Sequence, residues 1–367
     1  MKVNFLDLKA QYHSIQDEID AAIKNVLESS AFAAGPFVKS FEENFAAAHK
    51  ARFCVGVNNG TAALHAALMA LDIKHGDEVI VPANTFFATP EAVTLAGATP
   101  VFVDCDPDYY NMDANLLEKA ITKKTKAIIA VHLYGQPAQL DKIKAVADEH
   151  NLRLIEDCAQ AHLAEFKSTP IGTTGVLGCF SFYPGKNLGA YGEGGAILTN
   201  DRELYEKLMM IRDHGSAQKY HHDIIGHNYR LEGIQGAILD VKLKHLPKWT
   251  EKRRANARHY QKYLAGVSSV ALPAEMAEAK HVYHLYVIRS ARREALQEFL
   301  KEKQIFTGIH YPIPCHLQKA YSELSYKRGD FPVTEEYADQ ILSLPMSEQL
   351  GEEEIAYVAD MVKEFFD

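Results

Sequence analysis

The sequence carries little that would commit it to a membrane, a nucleic acid or an oxidising compartment. No run approaches the ~20 consecutive apolar residues that a membrane-spanning helix needs. Acidic residues outnumber basic ones, 48 against 39, for a formal net charge of −9, and no stretch concentrates lysine and arginine. Nucleic-acid binding by counterion release requires such a concentration, so that class is set aside. Cysteine is scarce: the 5 residues at positions 54, 105, 158, 179 and 315 form no C-x-x-C pair. An odd, dispersed set argues for a reducing compartment, and against a disulfide framework or a zinc site. The 17 histidines show no H-x-x-x-H spacing, and no metal is expected. Asp7, Lys9, Asp17, Glu18 and Asp20 interrupt any apolar core of a signal peptide, so the expected location is the cytoplasm. A G-x-x-x-x-G-K-[ST] loop, a strand-coupled G-x-G-x-x-G and a G-x-S-x-G elbow are all missing. Nucleoside triphosphates, dinucleotides and serine-hydrolase chemistry therefore lack their usual support.

What is present reads as a globular α/β protein. Hydrophobic residues make up 47% and charged residues 24% of the 367, which rules out disordered and fibrous classes. Short apolar runs predict strands at Asp77 to Pro82, Thr99 to Val103, Ala127 to Leu133, Leu152 to Ile155, Cys179 to Tyr183 and Gly195 to Thr199. Helical patterns fall between several of them, at Asn58 to Leu71, Thr89 to Ala96, Asn115 to Ile121 and Leu140 to His150. Such alternation implies a mostly parallel sheet covered on both faces, with ligands at the carboxyl ends of its strands. From Leu231 the pattern changes to long charged helices that Pro247 is expected to break. Strands at His281 to Arg289 and Ile305 to Ile309, with helices at Arg292 to Lys301 and Glu352 to Phe366, suggest a small α+β domain. The expected division is 1–245 and 246–367.

The most informative stretch is Ser181-Phe182-Tyr183-Pro184-Gly185-Lys186-Asn187-Leu188-Gly189. A strand stops at Pro184-Gly185, and one lysine follows in a turn of small residues. A lysine held there can form a Schiff base with pyridoxal phosphate, and an acid at a neighbouring strand end can serve that cofactor's pyridine nitrogen. Leu152 to Asp157 ends in such an acid, and Gln160 follows closely enough to bond the ring's phenolic oxygen. Asn58-Asn59-Gly60-Thr61-Ala62 opens a helix on small residues, where free N–H groups and the dipole favour a phosphate. Phe86, just beyond a strand, can lie on a planar ring. Taken singly, each of these also fits a solvated lysine, a capping aspartate, an ordinary helix start or a core aromatic.

Taken together they resemble one family. Asn59 to Leu64, Gly76 to Pro82, Glu156 to His162, Ser181 to Gly189 and Asn228-Tyr229-Arg230 occur in the order and spacing of DegT–StrS nucleotide-sugar aminotransferases. These belong to the aspartate aminotransferase fold (fold type I), and the resemblance runs the length of the chain. It implies a large α/β domain with a smaller C-terminal α+β domain, and pyridoxal 5'-phosphate held covalently by Lys186. Asp157 would face the pyridine nitrogen, Gln160 the phenolic oxygen and Phe86 the ring, while Gly60, Thr61, Ala62 and Ser181 would hold the phosphate. Asn228 would reach the phosphate of a neighbouring subunit, making the working unit a homodimer.

The resemblance also narrows the substrate. Many relatives that aminate C-4 of a nucleotide sugar have histidine where this chain has Tyr183. The Ser-Phe-Tyr-Pro form is more similar to enzymes that aminate C-3 of dTDP-linked 3-keto-6-deoxyhexoses, with L-glutamate as donor. Tyr183, His310 and Tyr311 would line the sugar pocket, and Lys219 or Arg230 would meet the diphosphate. Amination at C-4 or of a cyclitol, elimination chemistry, and a regulatory protein that has kept the fold remain as alternatives.

Overall fold

The computed structural model describes residues 1–367. Seven strands form the central sheet: β1 (Phe53–Val57), β2 (Glu78–Pro82), β3 (Thr99–Val103), β4 (Thr125–Val131), β5 (Arg153–Asp157), β6 (Leu177–Ser181) and β7 (Gly195–Thr199). Their spatial order is β1-β7-β6-β5-β4-β2-β3. All neighbours from β6 to β3 pair in parallel, and only β7 runs antiparallel to the strands on either side of it. The carboxyl ends of β1, β2, β4, β5 and β6 therefore share one edge. The strands are apolar almost throughout because helices cover both faces.

One packing detail places the lysine loop. Phe180 and Phe182 point to the same face by the period of two, and Ser181 points to the other. On the helix Pro36–Ala48, Phe45 meets both rings edge-on, 5.0 Å from Phe180 and 5.3 Å from Phe182, and Phe41 meets Phe182 edge-on at 5.2 Å. Burying each ring contributes about 1.5–3 kcal/mol, which anchors the strand from behind and leaves Ser181 facing the open edge.

The C-terminal region has its own apolar cluster. It is built on the antiparallel pair β8 (Tyr286–Arg289) and β9 (Ile341–Leu344), with the helices Arg293–Glu302 and Glu352–Phe366. Val3 belongs to this cluster and bridges to Ile305, so the chain's first residues cross over to the C-terminal part.

Two expectations are corrected. Pro247 does not break the helical run: a single helix spans Gly233–Leu264 with the proline inside. The lost hydrogen bond costs about 3 kcal/mol, but Leu246 and Trp249 beside the proline are buried, and the helix packs against Pro36–Ala48 and Glu352–Phe366. Ile305 to Ile309 makes isolated bridges, Val3 to Ile305 and Gly308 to Ser343, in place of a strand. The segment divides its pairing between two partners and completes a ladder with neither.

Candidate active site

The shared strand edge opens on a cavity of about 1000 Å³ that collects most of the residues singled out above. Its phosphate-sized corner is the start of the helix Gly60–Ala70. Asn59 caps this helix, its Oδ1 accepting from the Ala62 N–H at 2.8 Å. That bond occupies Ala62 and leaves the Gly60 and Thr61 N–H groups for an incoming anion. Gly60 is forced by close approach, since a Cβ there would lie 2.6 Å from the Ser181 Cβ. The Ser181 Oγ accepts from the Tyr183 N–H at 3.3 Å, which leaves its own proton to donate. Gly60→Ala is expected to push Ser181 away and lower pyridoxal phosphate affinity about tenfold, the scale of a mild overpacking penalty. Fluorescence titration of the apoprotein checks this, and unchanged affinity would remove the contact from the cradle.

Asp157 ends β5, 5% exposed. Its Oδ2 accepts from the Thr89 hydroxyl at 2.8 Å and its Oδ1 from the Ala159 N–H at 3.1 Å. Burial pushes its carboxyl above the usual range, while these two donors and the Lys186 charge oppose that. Both hydrogen-bond donors are neutral, so a cationic ring nitrogen in the cavity would supply the missing counter-charge. Lys186 faces the same cavity, and burial lowers its amine to about 8, with Asp157 working in the opposite direction. An amine there is available as a base near neutrality.

Gln160 is tied at both ends: its Oε1 accepts from the Tyr134 N–H at 2.6 Å and its Nε2 donates to the Tyr311 hydroxyl at 3.0 Å. The second Nε2 proton remains for a ligand. Phe86 is 54% exposed, high for a phenylalanine, and presents its ring to the cavity 5.3 Å from that of Tyr311. Tyr183 is similarly open at 55%. Tyr311 and His310 complete this wall, with the His310 Nδ1 2.8 Å from the Ser343 Oγ. Burial first, and then the Lys186 charge, lowers the His310 imidazole to about 4, so it is neutral at physiological pH.

Three residues fall outside this chain's cavity. Lys219 lies exposed on a two-stranded hairpin, its Nζ 5.1 Å from the Tyr220 ring centroid. Arg230 is paired with Asp213, and Asn228 is exposed. Thr89, Tyr134 and His284 carry site geometry that the sequence reading missed. The threonine pair offered a signal in its four-residue spacing, one helical turn, and the Thr85 and Thr89 hydroxyls meet at 2.9 Å beside the acid.

Behind Asp157, Glu156 is fully buried and accepts four hydrogen bonds, from His132 Nε2 and the N–H groups of Gly172, Thr174 and Gly175. Ala138 N–H donates to His132 Nδ1, so the proton of that ring sits on Nε2. His132, Glu156 and Cys158 lie close enough to suggest a metal, but protein donors already occupy the carboxylate oxygens and the bare ring nitrogen. The group stiffens the end of β5, where the His132 N–H also bonds the Asp157 carbonyl at 3.0 Å.

Residues 13–363 match the DegT/DnrJ/EryC1/StrS aminotransferase family, and the chain belongs to it. It is 47% identical to the "Pleiotropic regulatory protein" of Geobacillus stearothermophilus over 100% of this chain and 99% of that protein. It is 44% identical to the dTDP-3-amino-3,4,6-trideoxy-alpha-D-glucose transaminase of Streptomyces venezuelae, over 99% and 96% of the two chains. The crystal structure of DesV from S. venezuelae superimposes with a TM-score of 0.98 at 45% identity, covering 99% of this chain and 98% of that one. The fold is that of fold type I pyridoxal phosphate enzymes. The residues present fit that cofactor: an open helix start pinched by Gly60 and Ser181, a buried acid without a cation bonded to it, and an amine opposite. No helix is long and apolar enough to cross a membrane.

Proposed function

We propose that this aminotransferase converts a dTDP-3-keto-6-deoxyhexose to the 3-amino sugar, with L-glutamate as donor. The observation that carries the reading is the convergence of Lys186, Asp157 and Tyr183 on one cavity of about 1000 Å³, with room for a cofactor and a hexose. The similarity to a dTDP-3-amino-sugar transaminase supports the choice of sugar. Pyridoxal phosphate, when bound, supplies the electron sink through which an amino group passes from one carbon skeleton to another.

The chain's own residues do the rest. Gly60, Thr61 and Ser181 seat the phosphate. Asp157 keeps a proton on the pyridine nitrogen, and Phe86 covers the ring. Lys186 Nζ takes the α-proton of glutamate as general base, leading to release of 2-oxoglutarate. In the second half-reaction the same amine delivers a proton to C-3 of the sugar. Exposed Asn228, with Tyr220 at 81% and Ile225 at 84% exposure nearby in the chain, supports a homodimer in which these residues and Lys219 serve the neighbouring subunit.

Incubation with 3-keto and 4-keto nucleotide sugars, dTDP- and UDP-linked, tests the assignment. Amination of the dTDP-3-keto sugar alone is expected, and exclusive amination of a 4-keto sugar would contradict it. A regulatory role is the second reading, favoured by the name of the Geobacillus relative; DNA binding that weakens with salt, without turnover, would support it. The Lys186 amine also sets a pH limb. Enzyme pre-loaded with the amino group of glutamate has Lys186 free, and that amine must be neutral to accept a proton. Single-turnover amination is therefore expected to rise about tenfold per pH unit below about 8 and level off above. A flat profile from pH 6 to 9 would exclude Lys186 as the titrating base.

A further inference from the structure

His284 stands in the cavity wall, and none of the roles above uses it. Its segment is tied to the turn that follows β4 by backbone bonds on both sides, Val282 N–H to Gly135 carbonyl at 3.0 Å and Leu285 N–H to Tyr134 carbonyl at 3.2 Å. Its ring is tied to the residue after the lysine. Asn187, 2% exposed, donates from Nδ2 to the Val282 carbonyl at 3.1 Å, and its Oδ1 lies 3.2 Å from the His284 Nδ1. A carbonyl only accepts, so Val282 fixes which end of the Asn187 amide is which. The Asn187 Oδ1 also only accepts, so the His284 Nδ1 must carry a proton. Burial, reinforced by the Lys186 charge, holds the imidazole neutral by lowering it well below its ordinary range. The remaining nitrogen, Nε2, is therefore bare. It has no partner in the protein and is not an enclosed atom, so it opens on the cavity as an acceptor.

That polarity separates the two substrates. The carboxylates of glutamate and the sugar's keto and phosphate oxygens are acceptors, and a bare nitrogen offers them nothing. A sugar hydroxyl donates. The surrounding wall supplies donors in the Tyr311 hydroxyl and the Gln160 Nε2, and His284 adds the complementary acceptor.

We propose that His284 is a sugar-recognition residue whose Nε2 accepts a hydrogen bond from a ring hydroxyl of the keto sugar, with Asn187 as the positioning residue that fixes its tautomer. This rests on the reading of the cavity as a keto-sugar aminotransferase site. It makes His284 matter in the sugar half-reaction and not in the glutamate one.

The experiment compares His284→Leu and His284→Gln with the wild-type holoenzyme. His284→Leu is expected to raise the sugar KM, and the Kd of the amino-sugar product measured by calorimetry, about tenfold. The single-turnover rate with glutamate should stay within about twofold, which also reports an intact fold. His284→Gln, which restores an acceptor, is expected to recover most of the loss. One ring-deoxy analogue should bind the wild type about tenfold more weakly than its parent sugar and bind the leucine variant no more weakly. An unchanged sugar KM in His284→Leu, or an equal fall in both half-reactions, overturns the proposal. Wild-type enzyme that responds to glutamate but aminates no nucleotide sugar overturns the functional reading, and this inference with it.

Discussion

Lys186→Ala is expected to lower transamination about 10²- to 10⁴-fold, the range a positioned base commands, while leaving the protein folded and able to bind its cofactor. The structural reason is a division of labour around the cavity. The amine takes part in no protein hydrogen bond that shifts its titration, and burial disfavours its charge. Its removal therefore relieves a desolvation penalty and costs only the through-space attraction to Asp157, the smaller of the two effects on the amine. The groups that would seat the cofactor, at Gly60, Thr61, Ser181 and Asp157, are other side chains and backbone groups of the cavity and are untouched. The melting temperature should stay level or rise. Measuring 2-oxoglutarate release alongside cofactor retention on a desalting column separates the two effects. Turnover within about tenfold of wild type would contradict a role for Lys186 as base.

Asp157→Asn is the second large effect. The substitution keeps shape and an oxygen acceptor but removes the charge, and places an amide N–H₂ where the Thr89 hydroxyl or the Ala159 N–H now donates. A hydrogen bond to a charged group is worth about 1.5–3 kcal/mol, so the rate should fall about 10- to 150-fold. The glutamate and sugar half-reactions should slow together, because both depend on the same protonated ring nitrogen. A variant slowed in only one of them would mean that Asp157 contacts a substrate instead.

The sequence made the sheet and its cofactor edge legible, because strands buried on both faces read as apolar runs and glycine or proline marks their ends. Strand β1 and the helix Pro36–Ala48 were not foreseen, although both flank the site. Phe53–Val57 is only five residues long, and Pro36 opens a helix as readily as it extends a loop. Within the site, Lys186, Asp157 and Gly60 announced themselves by turn chemistry. His284 did not. Its role comes from an amide six residues past the end of β6 and a carbonyl two residues before it, and no local pattern encodes that meeting. Lys219 and Arg230 show the opposite limit, since the resemblance placed them at the diphosphate and neither lines this chain's own cavity, while Asn228 was expected at a neighbouring subunit's site and also lies outside this one.

A visible absorption titration of the purified, pyridoxal phosphate-loaded protein is the most direct test of amino transfer from glutamate to a keto sugar in this cavity. The cofactor's visible band is expected to disappear on adding L-glutamate and to return on adding dTDP-3-keto-6-deoxyglucose or its galacto isomer. The absence of any such band after reconstitution, or a band indifferent to glutamate, would contradict that transfer.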